Sequence, residues 1–122
     1  MPGLPDILHA LMGAMKQLPA HRWQVTIDGV HKGPVTDHKV GVQGAAAWSK
    51  WEFAVDGAGH ELRAERDTGG STTITLDGAA TQDASLDIHP TTHGLAAVLV
   101  VKCHFTVGSI HHEYRFDGRM WP

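Results

Sequence analysis

The stretch Val98-Leu99-Val100-Val101-Lys102-Cys103-His104-Phe105-Thr106-Val107-Gly108-Ser109-Ile110-His111-His112-Glu113-Tyr114-Arg115-Phe116 decides how this chain folds. Its opening Val98 to Val101 core is β-branched enough to favour strand over helix, and Gly108-Ser109 fits a two-residue hairpin turn with glycine first. Folding about that turn sets Val107 opposite Ile110, Phe105 opposite His112, Cys103 opposite Tyr114 and Val101 opposite Phe116. The alternate face then pairs Thr106 with His111, His104 with Glu113 and Lys102 with Arg115. The apolar run from Leu95 to Val107 is the longest in the chain. Burial on both faces would place it centrally in a sheet.

Outward from this hairpin, a period of two holds back to Arg22. Trp23, Val25 and Ile27 alternate with Gln24 and Thr26, and Asp28-Gly29 offers a tight turn into Val30 and His31. An apolar residue followed by Asp-Gly recurs at Val55-Asp56-Gly57, Leu76-Asp77-Gly78 and Phe116-Asp117-Gly118. These four strand ends imply a meander, while their unequal spacings give no repeat of fixed period and hence no propeller or solenoid. With Gly57-Ala58 as a turn, Val55 faces His60, Phe53 faces Leu62 and Trp51 faces Ala64. Glu52 then meets Arg63 and Lys50 meets Glu65, so both charge pairs agree with the apolar face. Asp67 to Gly70 forms the next turn, Ser71 to Leu76 a Thr-rich strand, and Ala84 to His89 a strand stopped by Pro90.

The segment from Leu4 to Leu18 follows a different period. Ile7, Leu8, Leu11, Met12, Met15 and Leu18 recur at three- and four-residue spacing, Pro5 suits a first turn and Pro19 ends the pattern. The expectation is one amphipathic helix over 4–18 packed on the chain's own sheet. Residues 23–121 then form an antiparallel β domain of about eight strands. The fold class is mainly β, a single domain over 1–122, built as an antiparallel β-barrel or a two-layer β-sandwich with one N-terminal helix.

At 122 residues, with 42% hydrophobic and 19% charged residues, the chain is an ordinary globular domain. A net charge of −3 with scattered Lys and Arg excludes a broad nucleic-acid-binding face. Cys103 is the sole cysteine, so an intrachain disulfide is excluded and a reducing, cytoplasmic setting is expected. The run Ile7 to Met15 lacks the charged leader and cleavage site of a signal peptide, and no run reaches the ~20 apolar residues of a membrane span.

Ten histidines are the compositional anomaly. On the last hairpin, His104, His111 and Glu113 share one face, at a reach where two imidazoles and a carboxylate suit a divalent metal ion. Glu113 orienting His104 as a general base is the metal-free use of the same pair. Lys102 and Arg115 on that face oppose a cation and favour solvent or an anionic ligand. His89 and His93 read as a polar turn beside Pro90 and Gly94, able to bring further ligands only if the sheet curls back. His112 reads as core-facing with a backbone partner, while His9, His21, His31, His38 and His60 show no convergent partners. Cys103 and His104 point to opposite faces, so the thiol reads as structural. Trp48, Trp51 and Trp121, with Arg115, are the candidate ligand-binding residues, and Trp23 joins the other tryptophans as a lining for a cavity.

The leading functional expectation is a small non-catalytic binding protein acting on a protein partner or as a homo-oligomer through an exposed strand edge. The alternatives are a metal-assisted or His-based enzyme using His104, His111 and Glu113, and a small-molecule carrier with a Trp-lined cavity.

Overall fold

The computed structural model describes residues 18–121, with the side chain of Trp121 excepted. The helix expected over 4–18 falls outside the described residues except for Leu18, which is buried. A single 3-10 turn, Ala20–Arg22, precedes nine strands: β1 (Trp23–Ile27), β2 (Val30–Gln43), β3 (Ala46–Val55), β4 (Ala58–Arg66), β5 (Thr72–Leu76), β6 (Ala79–Ala80), β7 (Gln82–His93), β8 (Ala96–Val107) and β9 (Ile110–Trp121). All pairings are antiparallel, in the order β6-β5-β4-β3-β2-β1-β9-β8-β7. The count is therefore nine rather than eight.

The architecture is one curled, half-barrel sheet, which decides against a two-layer sandwich. Its end strands β6 and β7 are consecutive in the chain, separated by Thr81 alone. The Thr81 N–H and hydroxyl both donate to the Ile74 carbonyl, at 3.1 and 2.7 Å, so the chain itself draws the two ends of the sheet together. Arg66 on β4 adds a second link across the gap, its Nη2 donating to the Leu86 carbonyl on β7.

The concave face carries the core. Trp23, Val25, Trp51, Phe53, Leu62, Ile74, Leu99, Val101, Cys103, Phe105 and Phe116 are buried in one cluster, as period-two alternation in a sheet with one covered face requires. Val98 and Val100 alternate with Leu99 and Val101, so they point to the outer face, yet they too are buried. Of the Leu95 to Val107 run expected to be buried on both faces, only Val98 to Val101 is: Leu95 and Val107 are exposed, the outward-facing Lys102, His104 and Thr106 are half-buried, and β8 lies next to the last strand of the sheet order and not at its centre.

The last hairpin keeps every pairing expected of it, from Val107↔Ile110 to Val101↔Phe116, about a Gly108 with φ of 61°. The β3–β4 hairpin does not. Its turn residues are Asp56 and Gly57, at φ 51° and 81°, so Val55 pairs with Ala58, Phe53 with His60 and Trp51 with Leu62. Two consecutive positive φ values define the turn most compatible with strand twist, and Asp-Gly satisfies it better than Gly-Ala. The two-residue shift leaves every side chain on its expected face but replaces the expected charge pairs. Glu52 lies opposite Glu61, and Lys50 lies between them, 4.0 Å from Glu52 and 3.9 Å from Glu61.

Two further corrections concern strand ends. Pro90 does not stop a strand but sits inside β7, an end strand of the sheet where a missing N–H costs no ladder bond, so His89 and His93 are strand residues. Phe116-Asp117-Gly118 is not a turn but lies within β9. Gly118 is required there by packing: a Cβ would sit 2.8 Å from Leu18 Cδ1 and 2.9 Å from the Trp23 ring.

The register also discloses an internal repeat that the Asp-Gly spacings concealed. Residues 53–65 and 105–117 match with Phe53/Phe105, Val55/Val107, His60/His112, Glu61/Glu113 and Arg63/Arg115, closing on Glu65/Asp117. Thr75-Leu76-Asp77-Gly78 likewise matches Thr26-Ile27-Asp28-Gly29. Each matched strand occupies the same place: β4 pairs with β5 as β9 pairs with β1. The half-barrel is built from two similar halves, β2 to β5 and β7 to β9 with β1, which exchange their first strands, the short β6 standing at the place of the start of β2.

Candidate functional site

Each half of the barrel builds the same polar clasp at the turn end. In one, Asp77 Oδ1 accepts the Glu61 N–H at 2.8 Å and Oδ2 lies 2.8 Å from His60 Nδ1. In the other, Asp28 Oδ1 accepts the Glu113 N–H and Oδ2 faces His112 Nδ1, both again at 2.8 Å. The Asp77 and Asp28 N–H groups return the bond to the carbonyls of Glu61 and Glu113. The turn forces this: an aspartate at positive φ ends β1 or β5 while the neighbouring strand runs on, and its side chain satisfies the next donor of the longer strand. Partial burial raises the pKa of both aspartates, but hydrogen bonds from the backbone and histidine outweigh it and leave both carboxyls below their ordinary value.

Between the clasps lies an aromatic floor. His60 packs beside Phe53 and His112 beside Phe105, at ring separations of 6.1 and 5.9 Å. Tyr114 sits between the two phenylalanines, 6.0 Å from Phe53 and 5.1 Å from Phe105. Burial first, then the charges of Asp28 and Asp77, push the Tyr114 phenol up, which places it under the influence of both carboxylates. His60 and His112 thus have the partners that sequence reasoning missed. His112 faces inward as expected, but its partner is a carboxylate 84 residues away and not a backbone group. A matched His-Glu step after each hairpin turn was the available signal.

The two clasps differ in what surrounds them. Beside the Asp28 clasp, Val30, Val107 and Ile110 are 55%, 45% and 61% exposed on neighbouring turns. The matching positions in the other half are Ala79, Val55 and Ala58. Large exposed aliphatics therefore rim the Asp28 clasp and not the Asp77 clasp.

On the outer face of the last hairpin, His104 Nε2 lies 3.7 Å from Glu113 Oε2, and the His104 and His111 rings stack 5.7 Å apart at 14°. The three expected residues are neighbours. Ring-nitrogen lone pairs lie in the ring plane, so near-parallel stacked imidazoles do not aim at a common point. Among the described residues, no three His, Cys, Asp or Glu side chains are grouped to hold a metal ion. His89 pairs with Asp87 at 2.9 Å on β7, and His93 lies at that strand's far end, so neither joins the trio. Arg115 donates to Asp117 at 2.9 Å, as Arg63 does to Glu65 at 2.7 Å.

Of the expected ligand-binding tryptophans, Trp51 is fully buried and stacks on Phe116 at 4.2 Å and on His38 at 5.2 Å. Trp23 packs edge-on against Trp51 at 5.6 Å, so these indoles fill the interior rather than line a cavity. Trp48 lies on the outer face, over Gly41 and beneath the Arg63 guanidinium at 5.2 Å. Backbone pairing places Ala97 opposite Trp121, near the strand end. His38, expected to be superficial, packs against both core indoles with Nε2 2.8 Å from Ser49 Oγ, and burial lowers its pKa to about 4. Cys103 is buried and its thiol is pushed far up, which fits a structural role.

No family model, curated protein or solved structure matches this chain. Among the described residues, no helix is long and apolar enough to cross a membrane.

Proposed function

We propose that the chain is a small non-catalytic binding protein whose contact surface is the turn end of the barrel beside Asp28, and whose first partner is a second copy of itself. The observation that carries this reading is the set Val30, Val107 and Ile110, exposed on the turns that adjoin the Asp28 clasp and replaced by smaller residues at two of the three matching places around the Asp77 clasp. Aliphatic side chains that the core does not use cost solubility unless a partner covers them. The sheet edge is a poorer contact: β7 carries Pro90, is interrupted by a bulge with Asp83 at φ 53°, and receives Arg66 from β4. Sedimentation velocity over a concentration series tests the proposal. A mass that rises with concentration, lost in Ile110→Asp but kept in Ala58→Asp, is expected. A monomer at every concentration, or equal loss in both variants, overturns it.

The 3.7 Å approach of His104 to Glu113 favours a second reading, a divalent-metal site completed by rotation of His111. Calorimetric titration with Zn²⁺ tests it: uptake of one equivalent, abolished in both His104→Ala and His111→Ala, supports the site, and uptake unchanged in either removes it.

A further inference from the structure

On the outer face, at the end of the barrel opposite the Asp-Gly turns, a cavity of about 430 Å³ is lined by His21, Arg22, Gln24, Val98, Asp117 and Arg119. Its volume falls in the range of small-molecule sites. Its charge runs against that of the whole chain, which is −3. Asp117 is the one carboxylate among the described lining residues, and it is held by the Arg115 Nε at 2.9 Å. Lys102, paired across the strands with Arg115, adds a further positive charge on the same face. Arg22 and Arg119 form no ion pair among the described residues and come from separate elements, the 3-10 turn and β9. Val98 supplies an apolar wall and the Gln24 side chain a donor and an acceptor.

From this combination we infer that the cavity is a binding site for a small organic anion, one carrying a carboxylate or phosphate group on a short apolar body. The guanidiniums of Arg22 and Arg119 present planar donor forks matched to either group, and Val98 receives the apolar part. Arg115 keeps Asp117 neutralised, so that its carboxylate does not repel the ligand. This site is remote from the turn-end surface, so its test does not depend on self-association.

The full-length chain is titrated with hexanoate, hexyl phosphate and hexanol and followed by amide and side-chain NMR shifts. Saturable binding of either anion is expected, with shifts at the Gln24 side-chain amide and the Arg22 and Arg119 Nε–H groups. Hexanol binds about tenfold or more weakly, since it leaves both guanidiniums without a charged partner. Arg22→Ala and Arg119→Ala each weaken the preferred anion by about tenfold while the remaining amide spectrum stays that of the folded chain. Arg119→Lys, which retains the charge and fold but loses the planar fork, gives an intermediate loss. Preference for hexyl phosphate or for hexanoate identifies the acidic group. Hexanol binding as well as the anions, no saturation by either anion, or undiminished affinity in both Arg119 variants overturns the inference.

Discussion

The Asp77 half and the Asp28 half of this barrel share a framework and differ in their outer dressing. Both place Phe, His, Glu and Arg at matched positions of a hairpin, both close on an aspartate at positive φ, and both tie Arg to an acid two residues on. The shared elements satisfy backbone groups where a shorter strand ends, a need set by the fold itself. The differing elements meet no such need. Val30, Val107 and Ile110 surround the Asp28 clasp and have smaller counterparts at two of three places around Asp77, the Arg22–Arg119 cavity opens on the β1–β9–β8 face, and Trp48 with Arg63 covers the outer face of β3 and β4. Repetition marks what holds the molecule together, and the proposed contact surface and anion site both lie where the two halves diverge.

The largest expected effect contrasts the inside of the barrel with its outside. Gly118 and Gly41 each lie under a tryptophan opposite them on the next strand, but Trp23 is fully buried while Trp48 is half-buried and free to swing toward solvent. Gly118→Ala should cost about 2–3 kcal/mol and Gly41→Ala less than ~1 kcal/mol, read by urea denaturation. Equal losses would mean that the Trp23 ring can yield as easily as Trp48.

Next comes a departure from the repeat. His38 occupies, in the β2–β3 hairpin, the place that Ile88 holds in the β7–β8 hairpin. Its pKa of about 4, below the ordinary 6.5, means that the unfolded chain binds more protons between those values. Stability should therefore fall as pH drops from about 6.5 toward 4, by up to ~2 kcal/mol after allowance for partial exposure, and His38→Ile should flatten that slope. An unchanged slope in thermal melts would assign the pH dependence elsewhere.

The clasps themselves should behave as equals. Asp28→Ala and Asp77→Ala each remove a backbone acceptor and a histidine partner at a partly exposed site, a loss of about 1 kcal/mol in either case. Because both carboxyls sit below their ordinary pKa, their contribution is complete above about pH 4 and disappears as pH falls through the lowered values. The Asp28→Asn, Asp77→Asn double variant should lose this acid-limb dependence. A loss several times larger at one clasp would break the equivalence of the halves. The smallest contrast is Arg63→Ala against Arg115→Ala: among the described residues only Arg63 sits over an indole, so its removal should cost about 0.5 kcal/mol more in parallel melts.

Much of the fold was legible because strand alternation and turn chemistry are local. Val107-Gly108-Ser109-Ile110 specifies its turn by a glycine at the first central position, and every pair from 98 to 116 follows from it. The β3–β4 hairpin misled because Asp56-Gly57 and Gly57-Ala58 are both plausible turns and the two registers keep the same faces, so alternation could not choose between them. For the site, the face shared by His104, His111 and Glu113 was readable, as was the inward side of His112. That His104 and His111 stack rather than converge was not, because it depends on side-chain rotation.

What the sequence alone determined, then, is a chain of antiparallel hairpins with a defined inside and outside, since a period of two commits each side chain to a face wherever the strand goes. Only the tertiary structure decided which aspartate meets which histidine. Asp77 and His60 stand 17 residues apart and Asp28 and His112 stand 84 apart, yet the two contacts have the same geometry. The reason is that β1 pairs with β9 as the sheet curls, a long-range backbone pairing that no local preference encodes, and that pairing turns two hairpins of similar sequence into matched halves of one barrel.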